Sequence, residues 1–249
     1  MYFFERTYDL DALAAHNLHI HTVFSHCAKP EMTLAAIVET AQAAGLETIA
    51  LTDHFNTDIS NKQFLRHIAS LKSEAETRCA RVKILFGGEL SAYAPGETLE
   101  NEAVRQALDY RLYSCNHYHL DFWGQPGDKT PRGYAEYSLR VISSVISSGS
   151  ADCIAHPLIG RFVKAFEDKT LLTKAVTDNE LGALFELSNQ YLTAWEINTG
   201  AVLGDPDFAR RLWHIGKEAG VVFCYGTDAH LLKNIDTAQR LAEIKEILL

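Results

Sequence analysis

The sequence predicts an α/β domain in which seven parallel strands alternate with helices and close into a barrel of the TIM type. Three observations carry that expectation. Short apolar runs alternate with helix-period segments along all 249 residues, close to the length of about 250 that such a barrel typically takes. Residues suited to chemistry (His21, His54, Glu89, His117, His156, Asn198 and Asp228) each fall at the carboxyl end of a strand-like run. In a closed barrel those ends meet at one mouth, whereas an open sheet gathers its site near one switch point. Seven contributing strands favour closure. No internal repeat, low-complexity tract or linker divides the chain, so one domain over residues 1–249 is expected.

The elements follow in order. Asn17-Leu18-His19-Ile20-His21-Thr22 alternates apolar with polar and reads as the first strand. Thr33 caps a helix through Leu34, Ile37, Val38 and Ala41 that Gly45 ends, and residues 46–51 form a short apolar strand. A helix-prone stretch over 61–81 precedes a strand at 82–86, and 110–115 is the next strand. A helix over 134–148 ends at Gly149, 152–155 is a strand, 178–191 a helix and 194–197 a strand. Asp205-Pro206 opens a helix closed by Gly220, 221–225 is the last strand and 235–248 the last helix. Phe3, Phe4, Tyr8 and Leu10 are expected to pack an amino-terminal arm on the barrel, and Trp195 and Trp213 to lie in the core. The Gly- and Pro-rich loop 121–132 is expected over the mouth, with Trp123 a candidate substrate contact.

Composition narrows the function. A hydrophobic fraction of 47% supplies a full core and argues against disorder. A net charge of −9 disfavours a long nucleic-acid footprint. It leaves room for a small phosphorylated substrate, because bound cations reverse the local potential. Five widely spaced cysteines without a Cys-x-x-Cys pair, and no secretory segment at the start, place the chain in a reducing cytoplasm. No apolar run approaches the roughly 18 residues a membrane span needs. A homo-oligomer stays open.

His19 and His21 share one face of their strand, about 6–7 Å apart along it, a spacing suited to neighbouring metal ions. A half-exposed polar strand face would read the same way if the pair stood alone. It does not stand alone: Thr52-Asp53-His54, Gly88-Glu89, Asn116-His117, Ala155-His156-Pro157 and Thr227-Asp228-Ala229-His230 repeat the theme. Imidazole and carboxylate together suit zinc, manganese or iron, with too few oxygens for calcium.

These motifs, with Ser25, resemble in order and spacing the PHP (polymerase and histidinol phosphatase) superfamily over residues 17–230. Ser114-Cys115-Asn116-His117 followed by Asp121 and Trp123 is similar to its histidinol-phosphatase-type branch. The resemblance implies a distorted seven-stranded (β/α)7 barrel, two or three divalent metal ions and phosphoester hydrolysis by metal-activated water. It implies His19, His21, His54, Glu89, His117, His156, Asp228 and His230 as ligands, with Glu89 bridging two metals. Two positions depart from the pattern. Where the relatives place His or Asp eight residues after the first histidine, this chain has Cys27 beside His26. A Cys27 thiolate would suit zinc and is the assignment made, with His26 the alternative. His117-Tyr118-His119 stands one residue further from Asp121 than in the relatives, so His117 is assigned to metal and His119 left as a proton donor.

On that reading Asp53 orients a ligating imidazole or, with His119, is a candidate acid for the leaving group. Arg161, assisted by Lys164 or Arg132, would grip phosphate. Two other readings compete with a small-monoester phosphatase, whose substrate would be histidinol phosphate or similar. One is a phosphodiesterase or exonuclease on nucleotides or short oligonucleotides. The other is a metal-binding module without turnover, whose usual mark is loss of ligands.

Overall fold

A computed structural model describes residues 5–249. Seven parallel strands form the sheet in chain order: β1 (His16–Ile20), β2 (Thr48–Leu51), β3 (Lys83–Ala94), β4 (Tyr110–Ser114), β5 (Cys153–Ile154), β6 (Ala194–Asn198) and β7 (Phe223–Gly226). The two outer strands approach each other just past their carboxyl ends, where Ile20 and Ala229 form a parallel bridge. His21 N donates to Ala229 O at 3.0 Å and Ala229 N to His19 O at 3.1 Å. Asn17 adds a side-chain staple, its Nδ2 donating to Thr227 Oγ1 at 2.7 Å and to Ile235 O at 2.9 Å. The result is a nearly closed (β/α)7 barrel, as the alternation of elements predicts.

Among the described residues ten helices surround it: α1 (Leu10–Ala14), α2 (Leu34–Ala43), α3 (Asn61–Glu76), α4 (Glu102–Ala107), α5 (Pro131–Ser147), α6 (Leu171–Lys174), α7 (Asp178–Tyr191), α8 (Thr199–Gly204), α9 (Pro206–Ala219) and α10 (Leu241–Leu248). Their starts are set by local chemistry. Thr33, Ser60, Thr177 and Asp205 each accept a backbone N–H of the first turn, and Pro206 follows its cap where a missing N–H costs nothing. Leu18, Ala50, Leu85, Leu112, Cys153 and Cys224 fill the barrel interior. The helices bury their apolar faces on the outside of the sheet, with Trp213 of α9 and Trp195 of β6 both in that core. Tyr8 and Leu10 pack as expected, Tyr8 edge-on to Trp213 with its hydroxyl donating to Val221 O. Phe3 and Phe4 lie outside the described residues. Among the described residues no helix is long and apolar enough to cross a membrane.

Strand β3 is longer than its sequence shows. Its first half pairs with β2, while Gly87–Ser91 pair with β4 and Glu89 pairs with His54. Gly87 permits the crossing, since a Cβ there would lie 2.5 Å from Tyr110 O. The last helix is shorter than predicted. Asp236 turns back to accept Ala238 N and starts a 3-10 turn, Thr237–Arg240, ahead of α10. Cys115, Cys153 and Cys224 are buried fillers, whereas Cys79 is exposed.

Candidate metal centre

The barrel mouth gathers side chains from six strand ends into one buried cluster. His19 is the penultimate residue of β1 and His21 lies one residue beyond it; His54 follows β2; Glu89 is inside β3; His117 follows β4; His156 follows β5; Asp228 and His230 follow β7. Glu89 sits at the centre. Its Oε2 is 2.8 Å from His54 Nδ1, 3.4 Å from His19 Nε2 and 3.5 Å from His21 Nε2. Its Oε1 is 2.9 Å from His156 Nε2 and 3.4 Å from His117 Nε2. Asp228 Oδ1 lies 3.1 Å from His21 Nε2. Two nitrogens that would repel as lone pairs, His19 Nε2 and His21 Nε2, approach to 3.1 Å.

The tautomers explain how such a cluster is built. Glu196 Oε1 accepts the Nδ1 proton of His19 at 2.8 Å. Ser25 Oγ gives its own proton to Asp53 Oδ1 at 2.7 Å and so accepts from His21 Nδ1 at 3.1 Å. Asp228 O accepts from His230 Nδ1 at 2.8 Å. In each case the Nδ1 proton is used outward and the Nε2 lone pair is turned inward, the arrangement metal-ligating histidines require. Glu89 Oε2 is buried and, with His54 Nδ1 at 2.8 Å, still makes no well-aligned hydrogen bond among the described residues, a costly state unless a cation lies nearby. Four sets of three bring their ligand atoms within 4.8 Å of one another: His21, His54 and His230; His19, His156 and Asp228; His19, His21 and Glu89; His54, Glu89 and His117. This donor chemistry fits borderline divalent ions.

Electrostatics agree with that fit. Burial opposes charge on Glu89, yet His54, His117, His19 and His156 around it hold its carboxyl well below the usual range. Asp228 behaves alike, with His19 and His21 outweighing burial. Burial, then His54, depresses His21 to about 3, and burial keeps His117 well below its ordinary value. Burial also opposes a proton on His19, but Glu196, Asp228 and Glu89 raise it. The carboxylates thus demand positive charge that protons or metal ions can supply.

Backbone strain marks the same place. His156 and Asp228 adopt left-handed conformations with φ of 55° and 53°, which non-glycine residues rarely do. Asn116 Nδ2 braces the first by donating to His156 O at 2.7 Å.

The cluster forms one wall of a cavity of about 400 Å³, which His119, Phe162, Arg161, Phe24 and His67 also line. Of the two candidates at the loop after β1, Cys27 reaches the cluster, with Sγ 3.0 Å from His230 Nε2. Burial raises its thiol, but hydrogen bonds with His230 and His54 outweigh that and lower it to about 6. His26 points outward, 84% exposed, and pairs with Asp58. Between the other two histidines, His117 enters the cluster while His119 stacks on Phe162 with ring centroids 4.5 Å apart. Arg161 lines the cavity with its guanidinium over Phe162 and 3.9 Å from Asp228 Oδ2. Lys164 donates to His119 O at 3.1 Å.

Three expectations are corrected. Asp53 has both oxygens engaged, accepting from Thr22 N, Thr22 Oγ1 and Ser25 Oγ. It orients His21 through Ser25 and does not line the cavity where a leaving group would sit. Arg132 lies outside the cavity on the first turn of α5, tied to Glu136 and Glu180. Trp123 is 2% exposed and packs against His117, so the 121–132 loop buttresses a ring of the cluster instead of presenting Trp123 to the cavity. The sequence also offers Glu196 and Asn198, at a strand end, for a hydrogen-bonding role beside the metals, and Glu196 is placed to take it on His19. Its signal was available: Glu196 and Asn198 stand two apart on a strand end, like His19 and His21.

Comparison with known proteins supports this architecture. The structure resembles a histidinol phosphate phosphatase from Lactococcus lactis complexed with zinc, L-histidinol and phosphate. That match has a TM-score of 0.57 and 19% identity, and covers 93% of each chain. It also resembles a Xaa-Pro dipeptidase with bound methionine in its active site, at a TM-score of 0.50 and 11% identity, covering 94% of this chain and 70% of the other. A search of curated protein sequences found no match. The PHP domain family matches residues 17–209. Asp228 and His230 lie beyond that span, but the bridge through Ala229 returns them to the same mouth. By that match over most of its length, the chain belongs to the PHP family.

Proposed function

We propose that this protein is a metal-dependent phosphatase of a small phosphate monoester, with histidinol phosphate the first substrate to test. One observation carries the reading: Glu89, Asp228 and six histidines converge at the base of a single small cavity. His19, His21, His54, Glu89, His117, His156, Asp228 and His230, with Cys27, would hold two or three divalent ions. Such ions would supply an activated water and neutralise phosphoryl charge.

The chain's own residues divide the remaining work. Arg161, half-exposed at the cavity wall over Phe162, provides charge-assisted hydrogen bonds to phosphoryl oxygens. Lys164 reinforces that positive edge through its contact with the His119 backbone. Burial, then Lys164 and Arg161, lowers the His119 imidazole below its ordinary value, so it is neutral before substrate binds. Its Nδ1 has no partner among the described residues. A phosphoryl dianion beside the ring favours its protonation, which prepares it to donate to the departing oxygen. Phe24 and His67, stacked with centroids 4.1 Å apart, form a flat wall for the leaving group. A cavity of about 400 Å³ suits a metabolite better than a polymer.

Metal-analysed protein assayed with chromogenic phosphomonoester and phosphodiester substrates, then with histidinol phosphate and nucleotides, tests the proposal. Monoester turnover that Glu89→Gln abolishes, with the fold retained by circular dichroism, is the expected result. Preference for the diester would establish the phosphodiesterase reading, and metal binding without any turnover the non-catalytic one.

A further inference from the structure

Arg161, Phe162 and Lys164 reach the cavity or His119 from one surface loop. It leaves β5 through two left-handed residues, His156 and Leu158. It then has no helix or strand between the 3-10 turn Gly160–Phe162 and α6. The loop nevertheless folds back on itself. A Cβ on Gly160 would stand 2.2 Å from Lys169 O, so the backbones at its two ends are in contact. Val163 is fully buried, and its N donates to Gly160 O at 2.9 Å. Residues 160–169 thus form a compact Ω-shaped loop, a class that often serves function.

Lys169 closes that loop. Its Nζ donates to Val163 O at 2.7 Å and to Phe166 O at 2.6 Å. An ammonium has three donors and no acceptor, so one lysine can gather carbonyls that an irregular loop does not pair with its own N–H groups. A charged donor makes these bonds stronger than neutral ones. Beside it Asp168 Oδ1 accepts Thr170 N at 2.9 Å and Thr170 Oγ1 at 2.6 Å, which fixes the turn into α6. Lys169 does not itself line the cavity, so its effect on a substrate passes through the loop.

We propose that Lys169 is a positioning residue for substrate binding: it staples residues 160–169 and so holds the Arg161 guanidinium over Phe162 at the cavity edge. The inference rests on the phosphatase reading above and adds to it a residue remote from the cluster. Without the staple, Val163 O and Phe166 O turn to water, the 3-10 turn loosens and Arg161 spends less time facing the cavity. The metal cluster is untouched, so the loss falls on substrate binding.

A double-mutant cycle on metal-loaded protein with a chromogenic phosphomonoester tests it. Lys169→Met should raise KM about 10-fold, short of the roughly 100-fold that displacement of a substrate-holding group can cost. In the Arg161→Ala background the same substitution should leave KM unchanged, because the group it positions is gone. Lys169→Arg, which keeps a charged donor for the carbonyls, should recover most of the loss. Hydrogen exchange at Val163 N should quicken in Lys169→Met while metal content and the urea midpoint hold. Equal KM losses with and without Arg161 overturn the proposal, since a through-space charge or a general loss of stability acts in both backgrounds. An unchanged KM in Lys169→Met, or unchanged exchange at Val163, overturns it as well. Each of these results leaves the phosphatase reading standing. Wild-type protein that turns over no monoester overturns that reading, and the role of Lys169 with it.

Discussion

Glu196 offers the sharpest test of how the cluster is held. Its Oε1 accepts the His19 Nδ1 proton at 2.8 Å, and the two side chains are 2% and 0% exposed. Asn198 Nδ2 donates to the same oxygen at 3.1 Å. The strand beside it carries Gly226, where a Cβ would stand 2.0 Å from Glu196 Oε1 and 2.8 Å from His19 Cβ. That glycine exists to let the carboxylate cross. In Glu196→Gln the Asn198 donor forces the amide oxygen into the Oε1 position. The new NH2 then falls where Oε2 finds no partner among the described residues. A charge-assisted bond becomes a neutral one, and a buried donor is left unmet, at about 1–3 kcal/mol. Loss of a carboxylate behind a ligating histidine typically weakens metal binding about 10–100-fold, or roughly 1.4–2.7 kcal/mol. Glu196→Gln should sit near the lower figure and Glu196→Ala near the upper. Chelator competition measures the affinity, and far-ultraviolet circular dichroism confirms the fold. Wild-type affinity in both variants would refute the orienting role, as would metal loss that merely tracks unfolding.

The two arginines separate by location. Arg161→Ala should lower kcat/KM about 10–100-fold through loss of a charge-assisted phosphate contact worth about 1.5–3 kcal/mol, whereas Arg132→Ala should leave KM unchanged. Equal effects on KM would contradict the placement of Arg132 outside the cavity. Arg132 should act on stability instead. Its hydrogen bond lowers Glu180 to about 2, below the ordinary value near 4.3. A depressed carboxyl stabilises the folded state above its unfolded pKa, and that contribution fades as pH falls through the folded value. The difference between wild type and Arg132→Ala in urea unfolding should therefore be full at neutral pH and shrink as pH falls from about 4.3 toward 2.

Much of this molecule is legible in its sequence because local chemistry fixes it. Thr33, Asp205 and Gly220 mark helix ends by hydrogen bonds and conformations that need no tertiary context. What escaped the sequence depended on neighbours. The pair Gly87-Gly88 reads as the end of a strand, yet β3 runs through it to Ala94, because close packing against Tyr110 and Phe64 calls for the missing Cβ atoms. Helices α4, α6 and α8 have 4–6 residues, too few for a periodic pattern to show. The histidine motifs announced the cluster, since a strand end fixes which way its side chain points. A cation such as Arg132 carries no such constraint. Its partners, Glu136 and Glu180, become visible with the packing of α5 on α7.

The left-handed residues permit a test in which the sign decides. Strand β7 ends at Gly226, and Asp228 two residues later has φ of 53°. That turn aims its carboxylate at His21 and brings its carbonyl oxygen under His230 Nδ1. If the backbone there is strained, the strain belongs to the fold and persists when the side chain is removed. Asp228→Ala and Asp228→Gly both delete the carboxylate, so metal binding should suffer alike. At an ordinary position glycine is the less stable of the two by about 0.4–1 kcal/mol, because it frees the unfolded chain. At a left-handed position alanine carries a penalty of roughly 1–2 kcal/mol that glycine escapes. The order should therefore invert, with chelator-stripped Asp228→Gly more resistant to urea than Asp228→Ala. The same inversion is expected at His156, whose φ is 55°. Alanine variants as stable as glycine variants at both positions would mean that the backbone is relaxed there. The turn that aims these side chains into the cluster would then arise without stored strain.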